Sequence, residues 1–257
     1  MEKNIRAIFL DLGGTFRIVE DNLPYKTAAR RRIAELCGTD MEAEAFHSLI
    51  EKRYDGYRDW ALKYMCEAPE EMLWTRWLAP ECDKALLERN AVELTYELRK
   101  AKGERVVVKN GIETVKTLVS RGYKVGVISD LIGTIEIDEW LDRDGLRPYF
   151  CTVQQSSVTM LRKPHPAIYF HALKESGVRP EESVFVGDNL ERDIIGAKAS
   201  NFGATIAVEY PGAKKLKLTA ENMPDGIIKS FDQLLDVFPQ APIMNLDAME
   251  QRSVEAK

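Results

Sequence analysis

The sequence carries little that would tie it to a membrane, an oxidising compartment or a nucleic acid. No apolar run approaches the ~18 residues that a membrane-spanning helix needs. Met1-Glu2-Lys3-Asn4 leads straight into a strand-like run, so no signal-peptide pattern is read at the start. The four cysteines (Cys37, Cys66, Cys82 and Cys151) are scattered and form no CxxC pair. In a chain of 257 residues such thiols are expected to be reduced, as in a cytoplasmic protein. Positive charge is not in excess either. Against 41 Asp and Glu there are 36 Lys and Arg, a formal net charge of −5 and no bulk footprint for nucleic acid. There is no internal repeat and no low-complexity block. The remainder is an ordinary globular balance, 45% hydrophobic and 30% charged. A chain of this length can bury a core without disulfides or structural metals. Composition thus excludes several classes and names no function.

Short apolar runs supply the first positive signal. Ile5 to Leu10 ends at Asp11 and two glycines, the pattern of a buried strand feeding a loop. Similar runs recur at Lys124–Ser129, Ser183–Asp188 and Ala204–Val208, with shorter candidates at Phe150–Val153 and Gly226–Ile228. Helical periodicity separates them. Asn110 is placed to cap a helix carrying Ile112, Val115, Leu118 and Val119, with Gly122 as its stop. His165 to Ser176 forms a second helix, and a third follows Asn189 with Ile194, Ile195 and Ala199 inward. Alternating strands and helices predict an α/β fold, a doubly wound, Rossmann-like parallel sheet covered on both faces. Ligands of such sheets sit beyond the carboxyl ends of the strands, where Asp11, Ser129 and Asp188 fall.

Residues 23–103 differ. They contain no strand-like run and read as four helices, Ala28–Leu36, Ala43–Tyr64, Glu70–Leu78 and Ala85–Lys100. The expected organisation is a core of residues 1–22 and 104–238, an inserted all-helical cap of 23–103 and a C-terminal tail of 239–257, either loose or docked on the surface as a helix. Within the insert, Tyr54, Tyr57, Trp60, Tyr64, Trp74 and Trp77 recur at helical spacing, which favours a packed core over a substrate box.

Four stretches carry the chemistry: Asp11-Leu12-Gly13-Gly14-Thr15, Ser129, Lys163-Pro164, and Gly187-Asp188-Asn189 with Asp193. Each acid alone reads as a turn or cap residue. In this order, each at a strand end or helix start, the set resembles the haloacid dehalogenase-like hydrolases over about residues 5 to 235. The resemblance implies that Asp11 is a nucleophile attacking phosphorus to give an acyl phosphate. It implies Mg²⁺ held by Asp11, Asp188 and the Gly13 carbonyl, with Asp193 in support, since Mg²⁺ takes hard oxygen ligands. Lys163 would offset the carboxylates and contact a phosphate oxygen, while Ser129, Gly14 and Thr15 would supply further phosphate contacts. The expected partner is a small phosphorylated metabolite, with no nucleic acid and no membrane; oligomeric state is left open.

One departure stands out. Phosphatases of this family usually carry a second Asp two positions after the nucleophile, and here that position is Gly13. Losing a positioned acid–base costs typically ~10²–10⁴-fold in rate. Three consequences are open. The enzyme can favour substrates with good leaving groups. A neighbour such as Asp130 can replace the acid, against its plainer reading as a solvated loop residue. Or the chemistry is cleavage of a carbon–phosphorus or carbon–halogen bond, for which the insert offers only Lys52 and Lys63, both in charged helices. A rival class is a binding or regulatory protein that holds a phospho-ligand with little turnover. Arg17 and Glu20, placed where the family has a flap, and His165, beside Lys163-Pro164, are secondary candidates.

Overall fold

The computed structural model describes residues 4–241. Chain order is β1 (Ala7–Leu10), β2 (Arg17–Glu20), α1 (Leu23–Cys37), α2 (Ala43–Tyr64) and α3 (Glu70–Met72), which widens into the helical turn Leu73–Leu78. Next come α4 (Lys84–Lys100), β3 (Glu104–Val107), α5 (Gly111–Ser120), β4 (Lys124–Ser129) and α6 (Glu136–Arg143). They are followed by β5 (Phe150–Gln155), α7 (Ser156–Thr159), α8 (Pro166–Ser176) and β6 (Ser183–Gly187). A wide helical turn, Leu190–Ile195, runs into Gly196–Ala199, and β7 (Ala204–Val208) and β8 (Gly226–Ile228) complete the sheet.

Six strands pair in the order β5-β4-β1-β6-β7-β8, every pair parallel. The strands are apolar on both sides because both faces are covered. Along β1 the side chains alternate. Ile8 and Leu10 pack with Val115 and Leu118 of α5 and Trp140 of α6, while Ala7 and Phe9 pack with Ile168, Tyr169 and Ala172 of α8. Order reverses at β1, so the crevice beyond its carboxyl end is open to loops from both neighbours. Register aligns Leu10 with Val127 of β4 and Val186 of β6. Asp11 therefore leaves the sheet level with Gly187, and Ser129 and Asp188 lie one residue further out.

The helical insert is bracketed by an antiparallel ribbon of β2 and β3, with Arg17 opposite Val107 and Glu20 opposite Glu104. Its helices share a separate apolar cluster that includes Ile33, Phe46, Ile50, Trp74, Leu87 and Leu94. Trp74 is fully buried and donates its indole N–H to Thr95. Tyr57 is buried against the rings of Trp60 and Trp77, while Tyr64 is exposed. The aromatic run is thus mainly the insert's core. Helix α1 begins earlier than its apolar periodicity alone indicates, because Asn22 accepts from the Tyr25 N–H and Pro24 suits the first turn.

Three local expectations change. Asn110 precedes α5 but does not cap it: its backbone is left-handed and its amide donates to Asp232 instead. His165 is spent on local structure, its Nδ1 capping α8 at the Ala167 N–H. Of the expected tail, residues up to Ala241 belong to the core edge, where the Ala241 N–H bonds the Arg121 carbonyl, and residues 242–257 lie outside the described ones. Among the described residues, no helix is long and apolar enough to cross a membrane.

Candidate active site

Asp11 ends β1, and its N–H continues the ladder to the Val186 carbonyl at 2.9 Å. The chain then turns tightly: the N–H groups of Thr15, Phe16 and Arg17 all converge on the Leu12 carbonyl. Gly14 sits at φ +82°, and a Cβ there would lie 2.4 Å from Asp188 Oδ2. Only glycine allows this loop to lie against that carboxylate. On the far side, Asn189 caps the following helical turn by accepting from the Arg192 N–H, and Asp193 Oδ2 accepts from the Asn189 N–H at 2.9 Å. Gly187 makes room for this fold-back, since its Cβ would fall 2.3 Å from Asp193.

Lys163 lies between the two loops. Its ammonium is buried, 2.7 Å from Asp11 Oδ1 and 2.6 Å from Asp193 Oδ1. Asp11, Asp188 and Asp193 each present an oxygen within 4.8 Å of the others. Three carboxylates against one ammonium leave two negative charges, the charge of a divalent cation. The donor set is all carboxylate oxygen, which suits Mg²⁺ in kind.

The titrations carry the same mark of crowding. Burial first, then repulsion from Asp193 and Asp188, push Asp11 up to about 7 despite the Lys163 ammonium. Burial and repulsion from Asp193 likewise push Asp188 up to about 6. Burial alone would lower Lys163, but attraction to Asp11 and Asp193 more than offsets it and raises it. A cation among the carboxylates would relieve that repulsion.

The remaining candidates fall into place around this cluster. Ser129 is buried at the end of β4. Thr15 is fully buried and its carbonyl accepts from the Tyr210 hydroxyl at 2.6 Å, which makes it a pin for the turn. Asp130 is not a solvated loop acid. Its Oδ1 accepts the Lys163 N–H at 2.9 Å, and its Oδ2 lies 3.7 Å from Arg162 and 3.5 Å from Arg192. It holds the lysine's backbone in place. Above Gly13, beyond its chain neighbours, no atom of the described residues comes within 4 Å of a built Cβ. Among the described residues, the space that a Cβ at Gly13 would enter is therefore open. Arg17 is tied to Asp144 and the Arg105 carbonyl, and Glu20 is exposed. Lys52 and Lys63 are exposed on α2, and Lys63 lies over the Tyr64 ring.

Two residues had not been singled out from the sequence. Glu67, between α2 and α3, is fully enclosed and accepts from Tyr57, from Ser156 at 2.8 Å and from Arg162 at 2.5 Å. The backbones pair alongside: Arg162 N–H to the Met65 carbonyl at 3.0 Å, and Glu67 N–H to the Met160 carbonyl at 3.1 Å. The insert is thereby bonded to the segment that delivers Lys163. Arg162 could have been noticed beside Lys163-Pro164; Glu67 carries no local signal.

A family model described as haloacid dehalogenase-like hydrolase matches residues 5–201. A protein named glyceraldehyde 3-phosphate phosphatase from Pyrococcus furiosus is 30% identical over 243 residues, 91% of this chain and 93% of the relative. Pyrophosphatase PpaX of Bacillus pumilus is 30% identical over 126 residues, covering 49% of this chain and 56% of the relative. The crystal structure of 2-haloacid dehalogenase from Pseudomonas syringae pv. Tomato superposes with a TM-score of 0.67 at 21% identity, covering 91% of this chain and 98% of the other, a likeness of fold.

The Glu67–Arg162 pair gives a stability prediction. Arg162→Met strands a buried carboxylate and should cost about 3–5 kcal/mol, read as a lower urea midpoint. The double variant Glu67→Leu/Arg162→Met should recover most of that loss. A single-variant loss below about 1 kcal/mol, the range of exposed pairs, would contradict the pair's burial.

Proposed function

The chain belongs to the haloacid dehalogenase-like hydrolases, and from that premise we propose that it is a Mg²⁺-dependent phosphatase of small phosphorylated metabolites. The observation that carries the reading is the convergence of Asp11, Asp188 and Asp193 on one point, with Lys163 bonded to two of them. Asp11, Asp188 and the Gly13 carbonyl, supported by Asp193, would hold the ion. When bound, it would offset charge on the phosphate and the attacking carboxylate.

The chain's own groups do the rest. Asp11 Oδ attacks phosphorus; the new P–O bond forms as the bond to the leaving oxygen breaks, giving an aspartyl phosphate and the freed alcohol or acid. Lys163, fixed by Asp130, would balance the negative charge on the transferring group, and the Ser129 hydroxyl would hold one of its oxygens. The expected contacts from Gly14 and Thr15 are not supported at their backbones, because those N–H groups are spent on the Arg17 and Leu12 carbonyls. Water then attacks phosphorus, the P–O bond to Asp11 breaks, and inorganic phosphate leaves as the Asp11 carboxylate is restored. The helical insert acts as a cap that excludes bulk water and selects the substrate. A cytoplasmic setting fits the free thiols.

The open space over Gly13 shapes the preference. No side chain there protonates the leaving oxygen, so acyl and aryl phosphates, whose leaving groups need little help, should be turned over best. The same vacancy supports a second reading, a phospho-ligand binder with slow turnover. The relative named for glyceraldehyde 3-phosphate puts short sugar phosphates among the alkyl substrates to assay.

Two outcomes follow. With Mg²⁺, the protein should hydrolyse acetyl phosphate and p-nitrophenyl phosphate faster than glyceraldehyde 3-phosphate, and Asp11→Asn or chelation should abolish turnover. Binding of phosphate without turnover of any of the three would favour the second reading. Gly13→Asp, whose Cβ would meet no atom of the described residues within 4 Å beyond its chain neighbours, should raise alkyl phosphate hydrolysis roughly 10-fold or more. An unchanged or lower rate would argue against the missing-acid account.

A further inference from the structure

A cavity opens beside the candidate site. It encloses about 840 Å³ and is walled in part by Gly14 and by the carboxylate-bearing Asp188. No residue between 23 and 103 lines it. Its charge is one-sided. Lys109, Lys214, Lys215, Lys217 and Lys229 line it, against Asp188 itself and Glu191. Among the described residues, none of these five ammonium groups has a carboxylate oxygen within 4.0 Å. In a chain of net charge −5, five lysines around one cavity, against Asp188 and Glu191, are a local excess of positive charge.

The segment that carries three of them is anchored. The Glu209 carboxylate accepts the Leu216 N–H at 3.0 Å, and the buried Asn222 bonds both the Thr219 N–H and the Lys217 carbonyl. Tyr210 fastens the start of the segment to the nucleophile turn through the Thr15 carbonyl. The backbone that carries Lys214, Lys215 and Lys217 is therefore tied to the turn after Asp11.

Lys163 and a divalent cation together balance the three carboxylates, which leaves the two charges of one reacting phosphate; five ammonium groups against Glu191 exceed those two. We propose that the cavity receives a second phosphate or comparable dianion of the same substrate, so that the preferred substrates are small bisphosphorylated molecules. This rests on the phosphatase reading and narrows its substrate class. Exposed lysines act over a screened range, so the gain falls as salt rises.

The test uses non-hydrolysable probes on the intact protein. Isothermal titration calorimetry with Mg²⁺ compares propylphosphonate with a series of short α,ω-alkane bisphosphonates. Some member of the series should bind roughly 10-fold tighter than the monophosphonate at low salt, less at high salt. The triple variant Lys214→Gln, Lys215→Gln, Lys217→Gln should bring that ratio close to unity. Lys52→Gln, Lys84→Gln, Lys174→Gln, the same charge change elsewhere, should preserve it. If the monophosphonate binds and p-nitrophenyl phosphate is turned over, but no bisphosphonate gains affinity or the triple variant keeps the ratio, the second-anion site is wrong while the phosphatase reading stands. If neither phosphonate binds and no phosphate is hydrolysed, both fall.

Discussion

A buried ammonium between two carboxylates is the constraint from which the rest of this structure follows. Lys163 is enclosed and bonded to Asp11 and Asp193, whose residues are 152 and 30 positions away. Bringing three acids to one point in a protein interior is unfavourable unless opposite charge is placed among them. The surroundings can be understood as means to that placement. Gly14 and Gly187 give up side chains so that the acids fit, Asp130 grips the lysine's backbone, and the parallel sheet sets the strand ends side by side. The charge balance still stops short of neutrality, which suits the cluster to a cation and an anion together.

The part of this visible in the sequence was the part encoded locally. Buried parallel strands are continuous apolar runs, so the strands around Asp11, Ser129 and Asp188 could be read directly, as could α2 and its neighbours. The ribbon of β2 and β3 could not. Each strand has four residues, and β2 buries only Arg17, so neither gives a usable period. Asn110 looked like a cap because its residue type is right, yet its amide finds a better partner in Asp232, 122 residues away. Glu67 was invisible for the same reason. An acid between two helices reads as solvated, and its burial depends on Arg162, 95 residues further on. Asp130 was read as solvated before the two arginines that enclose it were known.

Gly13 and the lysine-lined cavity pull the chemistry in compatible directions. Under the proposed reading, a site without a proton donor over the leaving group would draw its rate from charge placement and from the leaving group itself. Binding energy from a remote part of the substrate can then be used to hold the reacting phosphate in line. The insert is bonded at Glu67 to the segment that carries Lys163. Arg162 and the paired backbones of residues 65–67 and 160–162 make that connection.

The most direct test of the central claim is to trap the covalent intermediate. The protein is mixed with acetyl phosphate and Mg²⁺, reduced with borohydride, digested and sequenced by mass spectrometry. Phosphorylation at the proposed nucleophile predicts that Asp11, and no other carboxylate, is converted to homoserine, and that omitting either reagent prevents it. Turnover of acetyl phosphate with no conversion at Asp11, or with conversion at another acid, would contradict the account.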